Sequence, residues 1–346
     1  MTILDLAVWS NESACRNELE SNESRIISRN SSLALPHSFE DRRRRNGKQG
    51  IGEVTQMELM ETIGPFIHSV LHPTDFSEGS RVAFYHALKA ALLAGSELAL
   101  LNVSPDGAAG WSDFPGVRET LERWRLVPEG SPRSAVGDLG VNARKAIAKE
   151  VDPVQGVLNY LRKNPAELIV LATHHRQGRV SWLGKSVSEP IARQAAEMTL
   201  FIPGQSSGFV SADDGSVSLR RILVPIAQKP RAQPAVEAAA WLVRNLNCSK
   251  GTFTLFHVGT GDSMPAVRCP EVSGWEWEKE LRDGEVIQRI LDASNEIAAD
   301  LIVMATDGRN GFLDGLRGSH SERVLRQSGM PLLTVPVGSL ASVNLG

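Results

Sequence analysis

The sequence predicts an α/β protein made of two tandem, doubly wound, mostly parallel five-stranded sheets with flanking helices. Three observations predict this fold. Short runs that are apolar at every position, such as Leu168–Ala172, are typical of strands buried on both faces of a parallel sheet. Amphipathic segments alternate with these runs, as they do in doubly wound domains. The same order of motifs occurs twice along the 346 residues, which indicates a tandem duplication.

Three pairs of similar segments carry the repeat. At offsets of 152, 133 and 133 residues, they pair Ser69–Asp75 with Arg221–Ala227, Leu168–Thr173 with Leu301–Thr306, and Thr199–Pro203 with Leu332–Pro336. These pairs predict one domain over residues 65–204 and a second over 219–338. The segment between them, 205–218, is rich in Gly, Ser and Asp, a composition typical of linkers.

Within the first half, the hydrophobic pattern predicts strands and helices in alternation. Strands are predicted at His68–Pro73, Glu97–Val103, Ala143–Val151, Leu168–Thr173 and Thr199–Ile202. Helices are predicted at Ser77–Ala94, Pro153–Lys163 and Val187–Ala195. Right-handed crossovers place the carboxyl ends of parallel strands at one edge of the sheet, where such folds bind their ligands.

The first half is longer than the second in one interval. The offset between the halves falls from 155 residues at Val103 to 133 at Val157, so 22 extra residues lie between them. Four apolar residues at helical spacing, Phe114, Val117, Leu121 and Trp124, predict a helix there. We interpret it as a helix docked on the surface, with a partner-binding helix as the alternative. In the second half, the alternation of Trp275–Glu278 predicts an edge strand.

Composition limits the classes of function. The net charge is −3, so no overall basic field favours nucleic acid or an anionic membrane as a partner. No apolar run reaches the ~18 residues that a membrane span needs. Three cysteines do not make a disulfide scaffold, which favours a reducing cytoplasmic location. His174 and His175 have no ligand partners at metal-binding spacing, so no metal site is predicted.

The ends of the chain differ from the rest. Residues 1–64 are polar and lack hydrophobic periodicity, which predicts a disordered extension, and residues 339–346 are interpreted as a tail. The arginine run at 42–45 has an alternative interpretation as an anion- or nucleic-acid-binding arm. A natural start at Met57 or Met60 is a further alternative that the sequence leaves open.

A glycine pattern in the second half is typical of phosphate binding. The predicted strand ends in Ala305–Gly308, nine residues follow, and Gly318–Ser319 opens a helix at His320. Glycines let the backbone approach a phosphate closely, and the first turn of a helix offers unpaired N–H groups and positive dipole charge. The alternative is that Gly318 and Ser319 only cap the helix.

With these motifs in order, the chain resembles the universal stress protein family in its tandem form. The resemblance rests on Val70–Ser77 with the helix Ala83–Ala90, on Ala305–Gly308 followed at the right distance by Gly318–Ser319 (the family pattern is G-x2-G-x9-G-[ST]), and on Met330–Pro336. It implies an adenine-nucleotide α-hydrolase-like fold and pairing of sheets through the last strand, which makes the two halves a pseudodimer. It also implies a stress-response protein that binds ATP or another adenine nucleotide, or that works without one.

Each half departs from the family pattern at a different place. The first half has Asp75 after its first strand, where ATP-binding members place an acid, and the second half has Ala227. In the glycine loop, the first half has His175 and Lys185 at glycine positions, and the second half lacks only the first glycine, which is Ala305. The nucleotide site is therefore predicted to be partly degenerate and best preserved in the second half.

These patterns give two sets of candidate binding residues. The nucleotide-binding set of the second half is Pro225, Ile226, Ala305, Thr306, Asp307, Gly308, Gly318, Ser319 and His320. The candidate residual site of the first half is Pro73, Thr74, Asp75, His175, Lys185, Ser186 and Val187. No catalytic residue is predicted, and an enzyme is the less favoured reading.

The function classes that remain are a nucleotide-binding regulatory protein, a nucleotide-independent protein-interaction module and, more weakly, a slow ATP hydrolase. The expected partners are an adenine nucleotide and proteins that the sequence does not name. Nucleic acid and membranes are not expected. The chain is expected to be a monomeric pseudodimer or a homodimer.

Overall fold

The computed structural model describes residues 67–107, 110–173, 187–307 and 320–338. The strands are β1 (Ser69–Pro73), β2 (Glu97–Val103), β3 (Asn142–Ala148), β4 (Leu168–Thr173), β5 (Met198–Pro203), β6 (Arg221–Pro225), β7 (Gly251–Val258), β8 (Trp275–Arg282), β9 (Leu301–Thr306) and β10 (Leu332–Pro336). The helices are α1 (Glu78–Ala94), α2 (Val117–Arg123), α3 (Ser134–Asp138), α4 (Pro153–Lys163), α5 (Ser188–Ala195), α6 (Gln233–Asn245), α7 (Val286–Glu296) and α8 (His320–Gln327). The extension predicted at 1–64 and the tail predicted at 339–346 lie outside the described residues.

The strands form one ten-stranded sheet in the order β3-β2-β1-β4-β5-β10-β9-β6-β7-β8. Each half contributes five parallel strands in the same relative order, which confirms the predicted pair of doubly wound, five-stranded units. The two units join where β10 pairs antiparallel with β5, with Leu333 opposite Leu200 and Thr334 opposite Thr199. The seam therefore lies in the middle of one continuous sheet.

The core occupies both faces of the sheet. Successive residues of a strand point to opposite faces, so Val70 belongs to one apolar cluster and Leu71 to the other. Helices α1 and α6 cover the first face, and α4, α5, α7 and α8 cover the second. Because both faces are covered there, central strands such as β4 and β5 are apolar at nearly every position, as the sequence predicted, whereas the edge strands β3 and β8 carry exposed polar residues.

Local signals set the bounds of the helices. The Ser77 side chain accepts the backbone N–H of Ser80 at 3.3 Å at the start of α1, which ends at Gly95 in the left-handed conformation (φ 60°). Helix α4 begins after Asp152, whose carboxylate accepts the N–H of Val154 at 2.9 Å. Both helices occupy the predicted spans because their capping residues are visible in the sequence.

The extra interval of the first half contains α2 and α3. The predicted helix is shorter than its apolar spacing suggested, because Pro115 disfavours helical backbone in the residue before it and Gly116 is extended (φ −76°, ψ 147°). Phe114 and Leu121 are buried nonetheless. In the second half, only a short 3₁₀ turn, Gly261–Ser263, lies between β7 and β8.

The two edges of the sheet are β3 and β8. The prediction that Trp275–Glu278 belongs to an edge strand is confirmed, since β8 pairs only with β7 within the described residues. Strand β3 ends at Ala148, three residues before the predicted end, where its ladder with β2 stops. Val151 beyond it is 86% exposed, so burial does not extend the strand.

The segment predicted as a linker packs against the first half. Phe209 and Val210 are buried, and their N–H groups donate to the Nε2 atom of His86 in α1 at 2.9 and 3.2 Å. The indole N–H of Trp124 donates to the Ala212 carbonyl at 3.1 Å.

None of the helices in the described part of the chain has the length and apolar character needed to cross a bilayer.

Candidate functional site

Each half has a candidate crevice, by which we mean the position beyond the ladder between its two central strands, where the order of the strands reverses. The ladder between β1 and β4 contains only two residue pairs, as does the ladder between β6 and β9. In both halves the first strand instead pairs with its other neighbour over five residues. The ladder therefore ends before the carboxyl ends of the central strands, and ligands of open α/β sheets bind at this position.

The candidate residues of the second half approach this crevice from β6 and β9. Pro225 ends β6, and Ile226 is buried directly after it. Ala305 and Thr306 end β9, and the exposed Asp307 follows. The two strand ends lie side by side because β6 and β9 are neighbours in the sheet.

The phosphate end of this site is described in part. His320 is exposed and begins α8, which returns along the second face of the sheet. Gly308, Gly318 and Ser319 lie outside the described residues. The structure therefore places the two strand ends in neighbouring strands and α8 on the second face, and the roles of His320 and of the glycines stay predictions.

A side chain from the second strand of each half holds the loop that follows the first strand. In the first half, Asn102 donates from Nδ2 to the Thr74 carbonyl at 2.9 Å. In the second half, the Nδ1 atom of His257 lies 2.9 Å from the Ile226 carbonyl. Asn102 and His257 occupy equivalent positions of the repeat, at an offset of 155 residues. Because one is an asparagine and the other a histidine, their residue types do not indicate a shared role. Their shared position is the signal that could have found them.

In the first half, the Asp75 carboxylate is engaged at the start of α1. Its Oδ1 atom accepts the Ser80 hydroxyl at 2.6 Å and the backbone N–H of Ser77 at 3.0 Å. From its place in the sequence, Asp75 could either cap the helix or bind a ligand. These contacts stabilise the turn and the first residues of the helix, which is the capping role.

An aromatic group covers the loop next to Asp75. Phe76 has left-handed backbone (φ 63°), and its ring packs edge-on against Trp111 and Phe114, with centroid distances of 4.9 and 5.6 Å. A Cβ atom at Gly110 would lie 2.5 Å from the Phe76 ring, so this close approach requires glycine. The extra interval of the first half thus packs onto the loop that carries the candidate acid.

His72 lies beneath these rings, at the end of β1. It stacks on Phe114 with a centroid distance of 6.2 Å, and its Nδ1 atom lies 2.9 Å from the Val170 carbonyl of β4. Burial lowers the pKa of His72 to about 4, against the opposing effects of its hydrogen bonding and of the Asp75 charge. A buried neutral imidazole therefore lies at the crevice of the first half, where the second half has the apolar Val224.

The remaining candidates of the first half are only partly described. Pro73 ends β1, and Thr74 is buried. Val187 precedes the first residue of α5 and is 37% exposed. His175, Lys185 and Ser186 lie outside the described residues. Among the residues that are described, no group of three or more His, Cys, Asp or Glu side chains could hold a metal ion.

Comparison with protein families identifies the fold family. The family model described as "Universal stress protein family" matches residues 67–203 and 271–336, which together make up more than half of the chain. A search of curated proteins finds no significant match.

Two solved structures with a TM-score of 0.50 agree on the fold. A functionally unknown protein from Pseudomonas aeruginosa PAO1 is 14% identical, with a TM-score of 0.50, over 82% of this chain and 96% of its own. A "Putative Universal Stress Protein" from P. aeruginosa UCBPP-PA14 is 13% identical, with a TM-score of 0.50, over 82% and 97%. A universal stress protein crystallised with cAMP is 17% identical, with a TM-score of 0.24, over 40% and 97%.

Proposed function

From the premise that the chain belongs to the universal stress protein family, we propose that it is a cytoplasmic stress-response or regulatory protein that binds an adenine nucleotide, such as ATP, in its second half. The proposed domains are 65–204 and 219–338, joined by 205–218, as a monomeric pseudodimer or a homodimer. Protein partners would respond to the bound or empty state.

One observation carries this proposal: the carboxyl ends of β6 and β9 meet where the strand order reverses, and a helix follows. The Gly308-to-Ser319 spacing between β9 and α8 is suited to a phosphate, because glycine backbone and the first turn of a helix both present N–H groups. We therefore assign the phosphates to the β9–α8 side and the adenosine to the loop after Pro225 and Ile226.

The adenosine end of this site is expected to be weak. Ala227 stands where the first half has Asp75, so the second half lacks that carboxylate as a hydrogen-bond acceptor for the nucleoside. Hydrogen bonds to charged groups contribute about 1.5–3 kcal/mol each. An Ala227→Asp substitution should therefore tighten adenosine-nucleotide binding by roughly tenfold or more.

Calorimetric titration of the purified chain with ATP and with AMP tests the proposal. We expect saturable heat with ATP and its loss in Gly318→Lys, which places in the second half the residue type that Lys185 supplies in the first. The matched control is Lys185→Gly, which should leave binding in the second half unchanged. Absence of both heat and co-purifying nucleotide would refute adenine-nucleotide binding, and binding that persists in Gly318→Lys would refute the assigned loop.

A nucleotide-independent interaction module is the second candidate. The first half favours it, because the Asp75 carboxylate bonds to Ser77 and Ser80 and the adjacent loop is packed under Trp111. In this case the chain would recognise proteins through its surfaces without a nucleotide. The titration discriminates, since such a module gives no heat with either nucleotide.

A slow ATP hydrolase is the weakest candidate. Hydrolysis needs a general base for water and carboxylate ligands for a metal ion. Among the described candidate residues of the second half, Asp307 alone carries a carboxylate. Metal-dependent hydrolysis therefore requires carboxylates beyond those that these described candidate residues supply, whereas nucleotide binding does not.

A further inference from the structure

A serine–histidine pair lies beside the crevice of the second half. His257 is 6% exposed at the end of β7, and its Nδ1 atom lies 2.9 Å from the Ile226 carbonyl. A carbonyl oxygen only accepts hydrogen bonds, so Nδ1 carries the ring proton. In the neutral ring, Nε2 then has a lone pair, and it lies 2.9 Å from the Ser263 hydroxyl oxygen.

Ser263 is exposed on the 3₁₀ turn that follows β7. Its oxygen accepts the N–H and the hydroxyl of Thr260 at 3.0 and 3.4 Å, and its hydroxyl, which donates one proton, has two acceptors within reach, the Thr260 carbonyl oxygen at 2.8 Å and Nε2 of His257 at 2.9 Å. Gly259 permits this fold of the loop (φ 148°), because a Cβ atom there would lie 2.6 Å from the Ser263 oxygen. The turn therefore holds the hydroxyl of an exposed serine against a buried, oriented imidazole.

The first half shows which part of this arrangement the fold requires. Asn102 occupies the place of His257 and makes the same bond to the carbonyl of the preceding loop, at 2.9 Å. An amide is therefore sufficient to hold that loop. An amide does not accept a proton near neutral pH, so the histidine adds a base that the structural role does not need.

We propose that Ser263 is a nucleophile that His257 activates, and that it takes an acyl group from activated esters. In this step the Ser263 oxygen attacks the acyl carbonyl and forms a new ester, while its proton passes to Nε2 of His257. The bond between the acyl carbon and the leaving oxygen breaks, and the leaving group receives that proton. A nucleophile within hydrogen-bond reach of a base that a third group orients is the arrangement that such chemistry needs. The reaction requires no nucleotide, so its outcome is independent of the proposed function.

Acetylation by p-nitrophenyl acetate tests this directly. The full chain is incubated with the ester, and intact mass and peptide mapping locate the acetyl group. We expect acetylation of Ser263 to be about 100-fold faster than that of Ser211, since general-base assistance contributes about 10²–10⁴-fold. Ser211 is the internal control, because its hydroxyl oxygen also accepts N–H groups of a turn, from Asp213 and Asp214. The side chain that it contacts is the Asp214 carboxylate, whereas Ser263 contacts an imidazole. Equal rates at the two serines would overturn the proposal.

The variant His257→Asn copies the first half, so it should keep the fold and lose the fast acetylation. A second variant covers the case in which that one fails to fold. In Ser263→Cys, His257 should promote the thiolate, so iodoacetamide should modify the introduced thiol at least tenfold faster than Cys248, whose pKa burial raises to about 11. Modification of the introduced thiol no faster than that of Cys248, or unchanged Ser263 acetylation in a folded His257→Asn variant, refutes the base role of His257.

Discussion

At the residue scale, two buried histidines of the first half couple its stability to pH. Burial lowers the pKa of both His72 and His86 to about 4, from an ordinary value of 6.5. The unfolded chain therefore binds more protons than the folded chain between these pH values. Their stabilising contribution is complete above pH 6.5 and is lost as the pH falls toward 4.

The expected loss at pH 5 is about 2 kcal/mol for each histidine. Urea denaturation at pH 7 and pH 5 measures it, with His86→Gln as the comparison because glutamine does not titrate. The free energy of unfolding should fall less between these pH values in the variant than in the wild type. An identical pH dependence in the two proteins would contradict a neutral, buried His86.

The hydrogen bonds of His86 are also predicted to hold the segment after β5 against α1. Replacement by leucine leaves the buried N–H groups of Phe209 and Val210 without their acceptor. Each such loss costs about 1–3 kcal/mol, so the two losses in His86→Leu should lower the free energy of unfolding at pH 7 by about 2–6 kcal/mol. His86→Gln retains an acceptor oxygen and should lose less. Equal losses in the two variants would show that packing, rather than hydrogen bonding, sets the cost.

At the element scale, sequence patterns predicted the central strands better than the connections. Strand β4 and helix α4 occupy their predicted spans because uniform apolarity and an Asp–Pro start are local signals. The segment 205–218 has the polar composition of a linker, yet Phe209 and Val210 are buried in it. Their burial depends on His86, more than 120 residues away in the chain, and no local pattern contains that contact.

The candidate site follows the same division. Pro225 and Asp307 were placed at the strand ends by the repeat alone, and the structure puts them there. The engagement of Asp75 by Ser80 and the contact of His257 with Ser263 arise from how loops fold over strand ends. Such contacts depend on three-dimensional proximity, so the sequence left the first open and did not indicate the second.

The helix α2 is predicted to fix the segment that joins the halves. Trp124, at its end, is 5% exposed, donates to the Ala212 carbonyl and packs against Gly215. Trp124→Ala should lower the free energy of unfolding by about 3–5 kcal/mol and speed proteolytic cleavage within residues 211–216. Limited proteolysis with mass spectrometry measures this, and Trp111→Ala is the matched control because Trp111 packs on Phe76. Equally fast cleavage at that segment in both variants would contradict the role of Trp124.

At the scale of the whole molecule, the two halves share a sheet and an ion pair. Strand β10 pairs with β5, and Arg326 of α8 makes two hydrogen bonds to Glu189 of α5, at 2.9 and 2.6 Å. The halves are related by a repeat, so each presents an equivalent strand to the seam. One chain thus contains the kind of contact that would otherwise join two copies.

The first half alone, residues 65–204, is therefore predicted to dimerise. Its β5 edge would be unpaired, and an exposed strand edge pairs readily with another strand. Analytical ultracentrifugation should show a dimer of the isolated half, and Leu200→Pro should reduce it to a monomer because proline removes a ladder N–H. A monomeric isolated half would show that β5 needs the specific side chains of β10.

The position of β10 has a consequence for synthesis. Among the described residues it is the last of ten strands in chain order, yet it lies between β5 and β9 at the centre of the sheet. A polypeptide interrupted after Thr306 and before Leu332 would display the unpaired apolar edges of β5 and β9, and such edges favour aggregation or recognition by chaperones. The topology thus makes closure of the middle of the sheet depend on β10, since the other nine described strands precede it in the chain.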